Sequence, residues 1–435
     1  MKRFPMPEAA LVACLLTLPA GAEMCTVDVV PAATLLAPYF EVDLDNPGGR
    51  NTLITIHNTR PEPALAKVTL WTDYSIPSVW FDVYLTGFDV VRFDLGDAFH
   101  NGNIPITADL QSDPDDDISP AGSPPWDGSF PNCENIFPFF QNPVLGPFYL
   151  ERLRSGHTGQ GISSLGGECI GSAQGDNIAR GYVTIDHTVR CELLAPHEPG
   201  YFGGAQPVAS NENALWGEWS LFDPAGATSV TESLVHIEAD PNFDAASTPT
   251  GYTFYGRFTQ GDGGNDHREP LGTVWAARYL NGGGFSGGTD LLVWRDSTSS
   301  IVPDSIPCES FPDWYPLNEQ AVTCWSEEED VISLCGPDKT DPTCFPLETQ
   351  RVHLGVGDLA PLWDYGWCSV DLDVPGDSFA GDVDFPAGGG DTTQSWVGSI
   401  NTASGNVAVG LGALQAGHAC DDPGTALDLQ EVGRE

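Results

Sequence analysis

Basic residues are what this sequence is most short of. Lys and Arg total 17 against 61 Asp and Glu, a formal net charge of −44, and only three residues are Lys: Lys2, Lys67 and Lys339. A nucleic-acid reader needs a basic stripe to neutralise phosphates, so no nucleic-acid partner is expected. Anionic lipid attracts the same kind of cluster and is disfavoured as well. The imbalance reflects missing bases more than crowded acids, since charged residues are 18% of the chain against roughly 25% in an average domain. The nine His include no His-Glu-x-x-His, and the eleven Cys include no Cys-x-x-Cys. Zinc-protease, zinc-ribbon and thioredoxin-like readings therefore fall away. After the N-terminus no run stays apolar for the ~20 residues of a membrane helix, so no transmembrane segment is expected. Long helices are also poorly supported, because Gly (49) and Pro (36) fill about a fifth of the chain, above the usual ~12%.

The N-terminus reads as an export signal. Lys2 and Arg3 precede an apolar run from Ala9 to Leu18, and Ala20-Gly21-Ala22 has the small-x-small pattern of a cleavage site. Residues 1–22 are thus a signal peptide and Glu23 is the expected mature start. A rival is a lipoprotein box, Leu11-Val12-Ala13-Cys14, with Cys14 lipidated. The expected location is secreted: extracellular, cell-surface or periplasmic. Removing Cys14 leaves ten Cys, an even number that suits disulfides in an oxidising compartment.

Apolar–polar alternation marks strands. It appears at Thr52–Ile56, Ala66–Trp71, Phe81–Leu85, Val90–Leu95, Phe148–Leu153, Gly181–Ile185, Leu215–Phe222 and Leu234–Ile237. The later part repeats the order. Thr289–Trp294 echoes the strand at Thr52, Arg351–Asp358 echoes Val91–Asp97, and Gly366–Val370 echoes Gly181–Ile185. Gln394–Ile400 echoes the stretch around Trp219, and Asn406–Leu414 echoes Glu232–Ala239. The fold class expected is all-β: two tandem antiparallel β-sandwich (Ig-like) domains with long disulfide-stapled loops. One covers 23–245 with an acidic, Pro/Gly-rich loop at 111–142. The other covers 246–425 with a Cys-rich loop at 297–346, and 426–435 is an acidic tail. One large sandwich is the competing layout. Leu271–Leu280 suits either a helix after Pro270 or a strand.

With a cut near 245, four Cys precede it and six come after, so bridges are expected to stay within halves. Cys133 would pair with Cys169 and Cys25 with Cys191. Cys368 would pair with Cys420, and Cys308, Cys324, Cys335 and Cys344 among themselves.

Leu35–Leu95, Leu215–Glu218, Leu234–Ala239, Arg268–Leu271 and Gly287–Leu291 together resemble a group of exported bacterial proteins without assigned function. The resemblance spans most of the mature chain. It implies bacterial export and carries no activity or catalytic residue.

Candidate chemistry is sparse. Gly284-Phe285-Ser286-Gly287-Gly288 resembles the nucleophile loop of trypsin-like proteases. Phe285 stands where that family has Asp, however, and the Ala-His-Cys setting is missing upstream, so a glycine hairpin is the better reading. His236 and His353 sit alone in strand patterns. Calcium is the cofactor best suited to the acidic loops, because hard cations take carboxylate and carbonyl oxygens. Asp113, Asp115 and Asp117 form one candidate site, and Asp262 with Asp266 another; Asp371 to Asp384 offers a third. Trp216 and Trp219 should face opposite sides of one strand. Trp126, Trp314 and Trp325 lie in presumed loops, where exposed aromatic faces stack on sugars or partner side chains. Two functions compete. One is an exported non-enzymatic protein with an adhesive, envelope-structural or ligand-binding role toward an extracellular or envelope partner, glycans included. The other is a carbohydrate-active enzyme or accessory protein, which as a glycosidase would need two carboxylates across a cleft.

Overall fold

The computed structural model describes residues 29–105, 144–240, 253–259, 266–272, 274–296, 302–310, 321–335, 345–355, 363–372, 394–403, 407–412 and 414–417. Nine strands come first: β1 (Thr34–Asp43), β2 (Asn51–Asn58), β3 (Ala64–Thr72), β4 (Pro77–Leu85), β5 (Val90–Asp94), β6 (Ile178–Thr188), β7 (Leu215–Asp223), β8 (Thr228–Ser233) and β9 (Val235–Ile237). Nine more come after them: β10 (Val274–Leu280), β11 (Gly288–Arg295), β12 (Ala321–Ser326), β13 (Val331–Cys335), β14 (Thr349–Leu354), β15 (Tyr365–Asp371), β16 (Ser395–Ala403), β17 (Val407–Gly412) and β18 (Leu414–Gly417). The protein is all-β, and the pairings within its sheets are antiparallel.

Each sheet draws its strands from one half of the chain. The first half forms β4-β3-β6-β1-β9 and β5-β2-β7-β8; the second forms β13-β12-β15-β10-β18 and β14-β11-β16-β17. Adding nine to every strand number of the first pair yields the second pair. The two halves therefore share one topology, with the strands at Thr52, Val91, Gly181 and Trp219 matched by those at Thr289, Arg351, Gly366 and Trp396. The order departs from an immunoglobulin domain at both edges of the five-stranded sheet. β9, last in its half, lies beside β1, where such a domain has its first strand, and β4 adds an outer strand. In each half the two sheets touch, β1 against β2 and β7, and β10 against β11 and β16.

The halves are joined by more than a linker. β1 also packs on β11 and β14, and edge strands β8 and β17 lie side by side. A single hydrophobic cluster holds Leu36, Val183 and Trp219 together with Trp294, Val322 and Cys368. Arg351 crosses from β14 to the buried Glu41 of β1 at 2.9 Å. The disulfides overturn the pairing expected from sequence. Cys169 bonds Cys308 rather than Cys133, so a bridge does connect the halves; Cys368 bonds Cys324 rather than Cys420. The cause of the first is visible locally. Cys169 and Ile306 exchange both backbone hydrogen bonds, and Ile306 packs with Ile76, Ile162 and Ile170 of the first half. Part of the Cys-rich loop is thus fastened across to the first half.

Two local expectations change. Phe148–Leu153 is not a strand but part of helix α2 (Pro147–Gly156), the next after the short helix α1 (Leu95–Asn101). Pro147 suits the first helical turn. Arg152 and Arg154 bond carbonyls of residues 77, 78, 99 and 100, which fixes the helix against its neighbours. Leu271–Leu280 resolves in favour of strand from Val274 onward, with Trp275, Ala277 and Tyr279 buried on one face.

Candidate functional site

The feature that stands out lies on the outer face of the second five-stranded sheet. In β12, Val322 and Cys324 point inward and are buried, so Thr323 and Trp325 point outward; in β15, Cys368 and Val370 point inward and Trp367 outward. Trp325 and Trp367 are register partners. Their rings stack with centroids 4.4 Å apart at 15°, and both remain half-buried. The row continues on each side, to Val331 of β13, 50% exposed, and to exposed Arg278 of β10. Below the pair, the inward register partners Cys324 and Cys368 are bonded. Gly366 leaves room for the backbone, since a Cβ there would overlap the Trp325 carbonyl. The turn after Trp325 carries Glu327, Glu328, Glu329 and Asp330, all exposed, and exposed Asp364 precedes β15. The surface is an aromatic ridge between an acidic turn and one arginine.

The first half holds the same arrangement in buried form. Trp71 of β3 and Tyr182 of β6 are register partners whose rings stack at 5.8 Å and 5°. Leu70 and Val183 occupy the inward positions that the disulfide takes in the second half. A Cβ on Gly181 would overlap the Trp71 carbonyl, as on Gly366. Here the pair is covered, with Trp71 1% and Tyr182 4% exposed. Phe258 stacks on Trp71 at 6.0 Å and 11°, and Trp294 meets Tyr182 edge-on at 5.9 Å. The neighbouring Arg257 reaches Ser75 in the β3–β4 turn (3.1 Å), Glu348 (3.2 Å) and Asp296 (3.3 Å). Burial, and next the Glu348 charge, push the Tyr182 hydroxyl well above its ordinary pKa. The gap left among these side chains is about 10 Å³, room for roughly one water.

Other titratable groups are internal. Asp186 accepts from Thr34 (2.6 Å), Tyr201 (2.7 Å) and Tyr255 (2.8 Å). Arg268 lies beside it, paired with Asp266 at 2.8 Å and bonded to the Ser210 carbonyl. Burial raises the Asp186 pKa against the opposing pull of Arg268 and its hydroxyl donors. Ser78 and His157 form a hydrogen-bonded pair at 2.6 Å, and His157 Nδ1 donates to the Arg180 carbonyl. The imidazole is held between Phe40 and Phe99, and burial pushes it down to about 4. Serine nucleophiles need an approach for substrate, and both of these side chains are buried. The pair fastens α2 to β4.

Of the residues singled out from sequence, Asp113, Asp115, Asp117, Asp262, Trp126, Trp314, Cys25, Cys133, Cys344 and Cys420 lie outside the described residues. Asp266 is not on an open loop. It is buried, and its oxygens are taken by Arg268 and by Thr253 at 2.6 Å. Cys191 is disulfide-bonded, and Cys335 ends β13. No group of three or more His, Cys, Asp or Glu that could hold a metal occurs among the described residues. The glycine stretch is not a hairpin: β10 and β11 belong to different sheets, and Ser286 sits in the connection between them, where Phe285 N–H donates to the Gly282 carbonyl and Gly288 N–H to the Phe285 carbonyl. Trp219 is buried and Trp216 half-buried on the opposite side, next to His57. His236 is a buried strand residue, and His353 is held by Asp290 at 2.6 Å. Trp325, expected from sequence as a recognition residue on a loop, lies on strand β12, and its partner Trp367 is not among the sequence candidates. The available signal was the match of Gly366-Trp367 to Gly181-Tyr182, which puts an aromatic at the same register in both halves.

No family model matches the chain, and no curated protein or solved structure matches it.

Proposed function

We propose that the chain is an exported, non-enzymatic binding protein of adhesive or envelope-structural type, and that the row Val331–Trp325–Trp367–Arg278 is its recognition surface. The observation that carries this reading is a stacked tryptophan pair left half-buried on a sheet face whose twin is covered. Large aromatic side chains with an exposed part are what binding surfaces concentrate. Disulfides fit an oxidising compartment, and no described helix is long and apolar enough to cross a membrane. The buried carboxylates Glu41, Asp82, Asp186, Asp266 and Glu348 all have partners inside the protein, so none of them waits in a cleft for a glycosidic bond.

Carbohydrate binding is the second reading, favoured by the same pair because indole faces stack on sugar rings. One experiment serves both. Purified mature protein is screened on a glycan array and for glycan hydrolysis, with and without calcium, beside Trp325→Ala and Trp367→Ala. Non-enzymatic binding predicts no turnover, and any ligand found should be lost in the variants. Hydrolysis by the wild type would refute it. Calcium, proposed for Asp113, Asp115, Asp117 and Asp262, should raise the melting temperature beyond what sodium chloride of equal ionic strength achieves. Equal melting in the two salts removes the metal.

A further inference from the structure

We infer that the Trp325–Trp367 ridge binds a polypeptide segment carrying an aromatic residue beside an arginine, the chemistry that covers its twin within this same chain. The inference rests on the reading of the ridge as a recognition surface and names what that surface takes. The two sites correspond strand for strand, with β3 and β6 in the places of β12 and β15. They also correspond residue for residue. Trp71 faces Tyr182 as Trp325 faces Trp367, and two positions upstream in β3 and β12 Thr69 faces Thr184 as Thr323 faces Ser369. In the first half the occupant is known. Phe258 lies flat on Trp71, and Arg257, its neighbour, bonds Ser75 in the turn that leaves β3. The matching turn in the second half leaves β12 and carries Glu327, Glu328, Glu329 and Asp330, all exposed. At the covered site the turn gives Arg257 one serine hydroxyl and the carboxylates come from Glu348 and Asp296, whereas an arginine arriving in the same pose on the ridge meets carboxylates in the turn itself. Charge-assisted bonds of that kind are about twice as strong as neutral ones. Arg278 closes the opposite end of the row and sets the direction in which a cationic segment lies.

A sugar would use the indole faces but leave the acidic turn without a cationic partner. A second copy of this chain brings a surface with few bases, since the sequence has 17 basic residues against 61 acidic ones. The polypeptide uses both features.

The test uses the full mature chain and a fluorescent peptide, Thr-Phe-Tyr-Gly-Arg-Phe-Thr, the sequence of residues 253–259. Anisotropy should rise saturably with protein. Trp325→Ala or Trp367→Ala should weaken binding about tenfold or more, as truncation of an aromatic anchor does. Glu327→Lys combined with Glu328→Lys should weaken it too, and so should replacing the peptide arginine by Glu. Circular dichroism checks that each variant is folded, and the Glu→Lys pair tests the site without touching the packed rings. Absence of binding, or equal binding by all variants, overturns the inference. Displacement of the peptide by a glycan, or self-association abolished by the same tryptophan variants, overturns the polypeptide while leaving the ridge as a binding surface. If no interaction with peptide, glycan or a second copy depends on Trp325 and Trp367, the recognition surface falls as well.

Discussion

The two five-stranded sheets share strand order and cross-strand pairs, yet one is buried on both faces and the other alternates. β3 is buried at all nine positions and β1 at nine of ten, whereas outward Val274, Ala276 and Arg278 of β10 keep solvent contact. The difference lies in the stretch of chain available to cover each sheet. Behind β9 come residues 253–259 and the second half, which supply Phe258, Arg257, Trp294 and Glu348 to the outer face of the first sheet. Covering that face obliged its polar residues to find partners inside. Lys67, fully buried, pairs with Asp82 at 2.8 Å and donates to the Glu192 carbonyl, and Trp71 Nε1 donates to Thr184 at 2.8 Å. In the second half Ala321 stands where the first has Lys67. A duplicated sheet has thus been used once as an interior and once as a surface.

Arg268→Ala should show the largest effect, because it strips the cationic partner from buried Asp266 and removes a neighbour of Asp186. Breaking a buried pair costs about 3–5 kcal/mol, readable as a lower urea midpoint at unchanged slope. Next is the contrast between the twin pairs. Trp71→Ala should cost about 3–5 kcal/mol as a full core truncation, and Trp325→Ala about 1 kcal/mol as a half-buried surface change. Equal losses would erase the distinction between covered and open sheet.

Acid should act on the buried titratable groups of the first half in both senses. His157 and His187 are both pushed down to about 4 by burial, below the ordinary 6.5. The unfolded chain therefore takes up protons below pH 6.5 that the folded protein refuses. Their contribution is present above 6.5 and is lost as pH falls toward 4, by up to about 3 kcal/mol each. Asp73 works in the opposite sense, since burial pushes it up to about 6. Its contribution is present below the ordinary carboxylate value and lost as pH rises through 6. Buried imidazoles and buried carboxyls thus act in opposite senses, and substitution isolates the share of one of them: between pH 6.5 and 4 the melting temperature of His157→Gln should fall less than that of the wild type. The most symmetrical effect belongs to two glycines. Gly181→Ala and Gly366→Ala each push a methyl into the carbonyl of the cross-strand tryptophan and should cost a similar ~1–3 kcal/mol. Unequal costs would mean the two registers are not equivalent.

Alternation and order make the repeat readable from sequence, because strands 52–56 and 289–294, each in a four-stranded sheet, must show an apolar face to the five-stranded sheet of their own half. The joining of the halves was not readable. Cys169 and Cys308 are 139 residues apart, and their neighbours Ile170 and Ile306 show nothing of the contact between them. The polar residues at 67 and 69 alternate like a solvent face, whereas both are buried, and Lys67 pairs with Asp82 and reaches the Glu192 carbonyl, 125 positions on. Phe148 to Leu153 (Phe-Tyr-Leu-Glu-Arg-Leu) has no true alternation, and the signals of helix α2 are Gly146-Pro147 ahead of it and the three-residue spacing of Leu150, Leu153 and Gly156. The ridge was half legible. Trp325 was noticed as a lone aromatic, while its value lies in the cross-strand register with Trp367, which only pairing supplies.

The claim that one sheet is covered and its twin open is tested most directly by oxidative footprinting of the folded protein, with modification read tryptophan by tryptophan by mass spectrometry. Trp325 and Trp367 should be oxidised early, while Trp71, Trp275 and Trp294 stay protected until the protein unfolds. Protection of Trp325 and Trp367 equal to that of Trp71 would contradict it.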